Sequence, residues 1–313
     1  MAPAAFRALA FVVYAFCSYG ILFHVPQTLK ALTPAPVATI AILLWLGLGL
    51  GFAGQLLFDW HRRHSYLTVL GRTSLALLLV SALLVVLWVE TVICIAMALP
   101  IAIAAAAPGI WFTRLLMARF ERQAHFCLAL LAVPFAAPFF DLPVPDMSEH
   151  VSVSTSIVIA APKSVIRAEA ENVSNIAESE QIWTITHNLL RAPRPVSAAT
   201  RDGIRYATWT KGVRFEEHLL PGPDLAWRFA FPDPELMKAL DPRVSPIGPE
   251  VTMLEGRYSF EPLGPSLTRV TLTTTYRLNT PINPYLKPWG HLILTDMHNA
   301  VLHVITNRAE SRS

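Results

Sequence analysis

The pattern of the chain changes at residues 151–159, which read VSVSTSIVI. Valine and isoleucine at positions 151, 153, 157 and 159 alternate with serine at 152, 154 and 156, and this period of two is typical of a β-strand with one buried face. Before Asp141 the sequence is strongly apolar, whereas most of its acidic residues come later. We therefore expect two regions in different solvents, residues 1–145 and residues 146–313.

The first region has the composition of a membrane protein. Of all 313 residues, 53% are hydrophobic and only 15% are charged, and the mean hydropathy is +0.45, above that of an ordinary soluble domain. An apolar run of about twenty residues crosses a hydrocarbon core of roughly 30 Å. Five runs predict an all-α transmembrane helix bundle: 6–25, 37–58, 74–89, 92–112 and 125–140. A signal peptide competes for the first run, but no small-residue cleavage site follows it.

Single residues within these runs suggest how the helices pack and turn. Glycines at positions 47, 49, 51 and 54 would let another helix approach the second span closely. Residues 74–112 are too long for one crossing, so they should fold back, and Glu90 at the turn avoids the cost of a carboxylate inside the bilayer. An intramembrane acid is the alternative for Glu90. The fifth run is short and holds Pro134 and Pro138, which weaken a straight helix.

The basic residues predict which side of the membrane each loop occupies. They cluster at 62, 63 and 72 and again at 114, 119 and 122, so both loops should be cytoplasmic. The cluster His61 to His64 could also bind a lipid headgroup or a metal, but a topology-setting loop explains it. With five crossings in a bacterial inner membrane, the C-terminal region is periplasmic. If the fifth run is re-entrant, that region lies in the cytoplasm instead.

The second region reads as an α+β domain. Its helices are predicted at 163–177 and 284–310, the latter with one long apolar stripe. Turn residues such as Lys211-Gly212 and Pro221-Gly222-Pro223 separate short strands. The predicted strands are 151–159, 181–190, 204–210, 213–220, 225–231, 252–260 and 268–278. A curved antiparallel sheet could wrap around the final helix in this order.

Three stretches resemble a known family. They are Ile159-Ala160-Ala161-Pro162 after the opening strand, the hairpin of residues 219–227 (LLPGPDLAW), and residues 258–262 (YSFEP) leading to 268–272 (TRVTL). Together they resemble the START-like SRPBCC superfamily of helix-grip domains, often labelled polyketide cyclase or lipid-transport proteins, over residues 151–310. The resemblance implies an apolar cavity between sheet and terminal helix for a lipid, sterol or polyketide-like ligand. It implies no universal catalytic motif.

Aromatic residues on the predicted sheet faces are the candidate ligand-binding residues, with two side chains from the helix. They are Tyr206, Trp209, Phe215, Trp227, Phe229, Tyr258, Phe260, Trp289 and Met297. Simple core packing is the alternative, since aromatic side chains also dominate solid cores. Arg205, Arg257 and Glu217 lie within strands and either face solvent or orient the polar end of a ligand.

Several classes of chemistry lack a motif in this sequence. The histidines after residue 146 show no metal-ligand spacing, and no nucleophile elbow or phosphate loop occurs. All three cysteines lie before residue 146, and the net charge of +3 is scattered, which disfavours a nucleic-acid partner. We therefore predict no metal, no cofactor and no catalytic residue.

Three hypotheses of function remain open. The leading one is a membrane-anchored binding module for a membrane lipid or another apolar small molecule, sterol-like or isoprenoid-like, for carriage or sensing. An enzyme of the cyclase or dehydratase kind would need an acid/base pair, such as Asp296 or His298 with Arg205 or Tyr206. A scaffold that holds a protein partner at the membrane would have a cavity filled by side chains.

Overall fold

The computed structural model describes residues 4–28, 39–120, 128–132, 135, 146–233, 246–248 and 250–313. The chain divides into two compact units, Met1–Val144 and Pro145–Ser313. The first unit is helical and the second is built on a β-sheet.

The described part of the first unit contains four long α-helices: α1 (Ala4–Thr28), α2 (Thr39–Phe58), α3 (Tyr66–Val86) and α4 (Val92–Arg119). Three stretches are long and apolar enough to cross a membrane, namely Ala4–Leu22, Tyr66–Val86 and Val92–Arg119. The apolar part of α2, Ile42–Phe58, is shorter. The chain therefore carries three helices of membrane-spanning length and composition among its described residues.

The third helix begins at Tyr66, earlier than the predicted residue 74, and ends at Val86. The hydroxyl of Ser65 caps it by accepting a hydrogen bond from the backbone N–H of Thr68 at 3.2 Å, as N-cap serines do. Arg72 interrupts the apolar run in the sequence, which is why hydropathy alone starts the helix too late. The chain then turns at residues 87–91, which include Glu90, and Thr91 caps α4. The Glu90 carboxylate accepts a hydrogen bond from the Tyr19 hydroxyl.

Small residues bring α2 and α4 into close contact. A Cβ atom on Gly51 would collide with the carbonyl oxygen of Ala106, and one on Gly109 with the carbonyl oxygen of Leu48. A Cβ on Gly54 would collide with the Thr73 hydroxyl of α3. The glycines of α2 thus serve close helix packing, as small residues do at helix interfaces in membranes.

Most of the predicted fifth span, 125–140, lies outside the described residues. Residues 128–132 form a short 3-10 turn. The Tyr14 hydroxyl donates a hydrogen bond to the carbonyl oxygen of Leu131 at 3.0 Å. This contact joins the turn to α1, and whether the run crosses a membrane stays a prediction.

One antiparallel sheet of seven strands forms the second unit, in the order β1-β7-β6-β5-β4-β3-β2. Its strands are β1 (Glu149–Ile159), β2 (Pro195–Arg201), β3 (Ile204–Trp209), β4 (Arg214–Leu220), β5 (Leu225–Ala230), β6 (Val251–Gly264) and β7 (Leu267–Leu278). Helix α5 (Lys163–Glu171) follows β1, and the long helix α6 (Asn283–Ser311) ends the chain. Because α6 packs against β1, β7 and α5, the arrangement is a helix-grip fold.

The alternation in 151–159 has the expected structural basis. Ser152, Ser154 and Ser156 lie on the outer face of β1 and hydrogen-bond to threonines of β7 at 2.7–2.8 Å. Val153 and Ile159, on the opposite face, are buried. Such cross-strand pairs stabilise a sheet face in contact with water.

The predicted strand 181–190 is wrong. This segment follows a 3-10 turn at Glu178–Glu180 and contains a π-helical turn at Ile185–Leu189. Thr184 begins the second turn because its hydroxyl accepts a hydrogen bond from the backbone N–H of His187 at 3.1 Å. A local side-chain bond of this kind competes with strand pairing, and the β-branched residues gave no sign of it.

The predicted helix 163–177 ends early, at Glu171. Beyond it, residues 172–176 cover the edge of β2 instead. The N–H of Ala198 donates to the carbonyl oxygen of Val173 at 2.7 Å, and the N–H of Ile176 donates to that of Val196 at 2.8 Å. Since β2 is the last strand of the sheet, this pairing satisfies an edge that would otherwise be open.

Candidate functional site

A row of aromatic side chains crosses the inner face of the sheet from β3 to β6. Trp209 contacts Phe215 with ring centroids 6.1 Å apart, and Phe215 lies 5.8 Å from Phe229. Phe229 lies 6.1 Å from Trp227, which lies 5.5 Å from Tyr258. These separations are typical of interacting aromatic pairs. Strand alternation thus places one continuous aromatic surface on this face.

The two ends of the aromatic row differ in burial. Trp227, Tyr258 and Phe260 are buried in the main core cluster with residues of α6, including Leu302 and Ile305. Four residues at the other end stay only partly buried although they face inward: Trp209, Phe215, Phe229 and Phe231. Helix α6 packs against β1 and β7, away from this end. The β3 to β5 part of the inner face is therefore the less covered part.

A buried charge pair lies beside the aromatic row. Arg205 on β3 and Glu217 on β4 are cross-strand partners, and each is 4% exposed. They form an ion pair. The Arg205 guanidinium carbon lies 5.7 Å from the centroid of the Trp227 ring, within cation–π range. Burial raises the pKa of the Glu217 carboxyl and raises the pKa of Tyr258 to about 12, so Tyr258 carries a proton and is neutral.

Two hydrogen-bond donors in this cluster have no partner. Arg205 Nε and Trp227 Nε1 are buried and make no hydrogen bond to any described residue. An unpaired buried donor costs about 1–3 kcal/mol. Gly256 on β6 makes room for the indole, because a Cβ atom there would collide with the Trp227 ring. The cluster can thus donate hydrogen bonds to an acceptor that reaches it.

A cavity of about 310 Å³ lies where α6, β1 and residues 182–184 meet. This volume is at the low end of the range for small-molecule pockets. Its lining is mixed: Ile157, Ile182, Trp183, Thr184, Asp296, Asn299, Leu302, His303 and Thr306. The cavity combines an apolar floor with the hydrogen-bonding groups of α6.

The turn beside this cavity buries an unpaired histidine. His187 is 5% exposed, and both of its ring nitrogens lack a hydrogen-bond partner among the described residues. Its ring lies 6.4 Å from that of Trp209. Burial lowers the pKa of His187, and the nearby Arg194 charge lowers it further. The N–H of Thr186 donates to the Asp296 carboxylate at 2.8 Å, which anchors the turn to α6.

His298 on α6 occupies a different position, in the interior between α6 and the sheet. Its Nδ1 is 3.0 Å from the Thr155 hydroxyl of β1, and its Nε2 is 2.8 Å from the Thr274 hydroxyl of β7. Burial lowers the pKa of His298 to about 4. A neutral imidazole therefore ties the helix to two strands.

The nine predicted ligand-binding residues lie in different surroundings. Trp209, Phe215, Trp227, Phe229, Tyr258 and Phe260 share the inner face. Tyr206 lies on the outer face and is 44% exposed, because it alternates with the buried Arg205 and Ala207. Met297 packs against the second core cluster, around Tyr276, and Trp289 is partly buried on α6. None of the nine lines the 310 Å³ cavity, and their role as ligand contacts stays a prediction.

The three charged strand residues lie on different faces of the sheet. Arg257 is on the outer face, with its side chain 58% exposed and 3.9 Å from Asp224, so the solvent-facing interpretation holds for it. That interpretation is wrong for Arg205 and Glu217, which pair inside. The groups considered for acid/base catalysis have other partners: Arg205 binds Glu217, Asp296 accepts from Thr186, and His298 bonds to two threonines. No group of three or more potential metal ligands occurs within the described ranges.

Sequence reasoning missed His187 and the pairing of Arg205 with Glu217. The pairing could have been predicted, because alternation places Arg205 and Glu217 on the same face as the apolar inward-facing residues of two neighbouring predicted strands. The burial of His187 could not, because it depends on a turn that the sequence pattern presents as a strand.

No protein-family model and no curated protein matches this chain. Several solved structures resemble it. A protein from Thermus thermophilus is 20% identical, with a TM-score of 0.32, and the match covers 52% of this chain and 99% of that one. Norcoclaurine synthase of Thalictrum flavum is 13% identical over 54% of this chain and 100% of that one, with a TM-score of 0.33. The aromatase/cyclase Zhui of a Streptomyces species is 12% identical over 52% and 93%, with a TM-score of 0.30. At such identities we assign no function from these likenesses.

Proposed function

We propose that this protein is a membrane-anchored helix-grip protein whose C-terminal domain binds an apolar small molecule, such as a lipid, sterol or isoprenoid-like compound, for carriage or sensing. The observation that carries the proposal is the group of inward-facing aromatic residues that stay only partly buried: Trp209, Phe215, Phe229 and Phe231. Covering the apolar area that these residues leave in contact with water favours an apolar occupant by about 25 cal/mol per Å² covered.

The polar cluster beside this surface supports a ligand with one neutral acceptor group. Arg205 Nε and Trp227 Nε1 are donors in need of an acceptor, while Glu217 already balances the Arg205 charge. A second buried anion would lack a partner cation and would be costly. A hydroxyl or carbonyl oxygen on an otherwise apolar molecule fits both conditions.

The anchor supports uptake from a bilayer. Three helices have the length and composition of membrane spans, and tethering raises the local concentration of lipid around the domain. We place the anchor in a bacterial inner membrane as a multi-pass bundle, with the C-terminal domain in the periplasm. The basic residues between α2 and α3 and at the end of α4 support cytoplasmic loops there, and the periplasmic side follows if residues 125–140 cross as a fifth span.

Photo-crosslinking of the full chain in membranes tests the proposal. We replace Phe229 with the photoreactive analogue p-benzoylphenylalanine, irradiate the cells, and determine the mass of the modified peptide. Tyr206 receives the same substitution as a control, because it is an aromatic residue of β3 that faces outward. We expect a small-molecule adduct of defined mass at 229 and none at 206. No adduct at 229, or equal adducts at both positions, would contradict ligand binding on the inner face.

A further inference from the structure

The segment of residues 182–191 presents apolar side chains to water. Trp183 is 64% exposed, Leu189 is 57% exposed and Ile185 is 39% exposed. Among the described residues from 146 onward, Trp183 and Leu189 are the two most exposed large apolar side chains. Leaving such side chains in water forgoes the stabilisation that burying them would give. A folded domain that does so on one short segment has a surface prepared for an apolar environment.

The backbone of this segment is held firmly, so the exposure is a property of the fold. Arg194 donates to the carbonyl oxygen of Ile182 at 3.2 Å and to the side-chain oxygen of Asn188 at 2.8 Å. The same Asn188 oxygen accepts from the N–H of Thr184 at 3.0 Å. Thr184, Thr186 and His187 are buried. The buried residues anchor the turn while the residues between them point outward.

Basic residues lie within and beside this segment. Arg191 and Lys211 are exposed and lie together, since the Lys211 amine donates to the carbonyl oxygen of Arg191. No ion pair between described side chains involves Arg191, Arg194 or Lys211. Of the nearby acids, Glu180 is paired with Arg308, which leaves Glu178 and Asp296, whose carboxylate accepts from the N–H of Thr186, against the three cations Arg191, Arg194 and Lys211. The local balance is therefore positive.

The position of the segment within the domain suits a membrane contact. Its His187 lies against Trp209, the last residue of β3. Because all neighbouring strands are antiparallel, the last residue of β3 lies at the same end of the strands as Glu149, where β1 begins. Glu149 is also where the chain arrives from its apolar half. Residues 182–184 in addition line the 310 Å³ cavity.

We propose that residues 182–191 form a membrane-docking tip, in which Trp183, Ile185 and Leu189 insert into the headgroup region of an anionic bilayer leaflet. Tryptophan is favoured at this depth because its ring is apolar and its N–H polar. Nearby Lys and Arg side chains add electrostatic attraction to an anionic surface. Docking brings the mouth of the cavity to the lipid, independently of what the aromatic surface binds.

Site-directed fluorescence on the full chain tests the docking tip. Cys17, Cys94 and Cys127 are replaced by alanine, and Leu189→Cys carries an environment-sensitive fluorophore. Leu263→Cys is the matched control, because Leu263 is 42% exposed and lies at the opposite end of the sheet. The protein is reconstituted in phosphatidylcholine vesicles with and without phosphatidylglycerol, and quenching by brominated lipid is measured.

We expect brominated lipid to quench the label at 189 at least severalfold more than the label at 263 in the anionic vesicles. The double variant Arg191→Glu/Lys211→Glu should reduce the difference, and so should raised salt. Equal, weak quenching at both positions would overturn the proposal. A label at 189 that is shielded from water but not quenched would also overturn it, and would indicate a second copy or another protein over the tip.

Discussion

At the scale of single residues, the buried ion pair of Arg205 with Glu217 affects the stability of the C-terminal domain. Removing one member of a buried ion pair leaves the other charge without compensation and costs about 3–5 kcal/mol. We expect Glu217→Ala to lower the free energy of unfolding by that amount, as measured by chemical denaturation of the full chain in detergent.

Two variants serve as controls for this expectation. Glu216→Ala removes an outward carboxylate that pairs with the half-exposed His218 and should cost less than about 1 kcal/mol. The double variant Arg205→Met/Glu217→Leu should be more stable than Glu217→Ala alone, because it leaves no buried charge. A Glu217→Ala protein as stable as Glu216→Ala would mean that Arg205 reaches water or another acceptor.

His298 predicts a pH dependence of stability. Its pKa falls from 6.5 in the unfolded chain to about 4 in the fold, so between these values the unfolded state binds more protons. The contribution of His298 to the free energy of unfolding, up to about 3 kcal/mol, is fully present above pH 6.5 and is lost as the pH falls toward 4. Thermal unfolding of the full chain across this range measures the slope.

His187 contributes to the same slope, since burial lowers its pKa as well. The wild-type slope is therefore compared with that of His298→Gln, which retains the contribution of His187 and the opposing contribution of Glu217, whose pKa burial raises. An unchanged slope in His298→Gln would contradict a neutral, buried His298. Glu180 affects stability at a lower pH, between about 4.5 and 2, because the hydrogen bond from Arg308 holds the pKa of its carboxyl at about 2.

At the scale of elements, close packing between α2 and α4 depends on glycine. Gly51→Ala places a methyl group against the carbonyl oxygen of Ala106, and overpacking of this kind costs about 1–3 kcal/mol. Gly71→Ala in α3 meets no atom within 4 Å and gains helix propensity of about 0.8–1 kcal/mol. We expect the first substitution to lower the melting temperature in detergent and the second to leave it or raise it. If both substitutions changed the melting temperature in the same direction, close contact between Gly51 and Ala106 would not determine the stability of the helical unit.

Elements with regular periodicity were predicted well from the sequence. Strands β3 to β7 and helix α6 lie within a few residues of their expected bounds, because their side-chain periodicity is regular and turn residues mark where the strands end. The predictions of helix at 172–177 and strand at 181–190 were wrong, and strand β2 was not predicted, since this part of the fold depends on the sheet edge at β2 and on the Thr184 cap. In the candidate site, six of the nine predicted residues share the inner face and their role as ligand contacts stays a prediction, whereas the unpaired His187 was missed.

At the scale of the whole molecule, the membrane orientation is open to a direct test. The two basic stretches lie at one end of the helical unit, since Arg114 donates to the carbonyl oxygen of His64 at 2.9 Å and lies 3.9 Å from Asp59. That end should be cytoplasmic. If residues 125–140 cross the bilayer, alkaline phosphatase fused after Ser313 is active in the periplasm, and green fluorescent protein fused there stays dark. A bright fusion would place the C-terminal domain in the cytoplasm.

By itself, the sequence determined the division into an apolar half and a sheet-forming half, because solvent preference and side-chain period are local properties of the chain. It also determined most strands and the final helix. Only the tertiary structure decided that Arg205 meets Glu217, that Tyr206 faces outward, and that Trp183 and Leu189 are exposed beside a cavity. These depend on which strands become neighbours and on how far α6 reaches across the sheet, and neither is a property of any short stretch of residues.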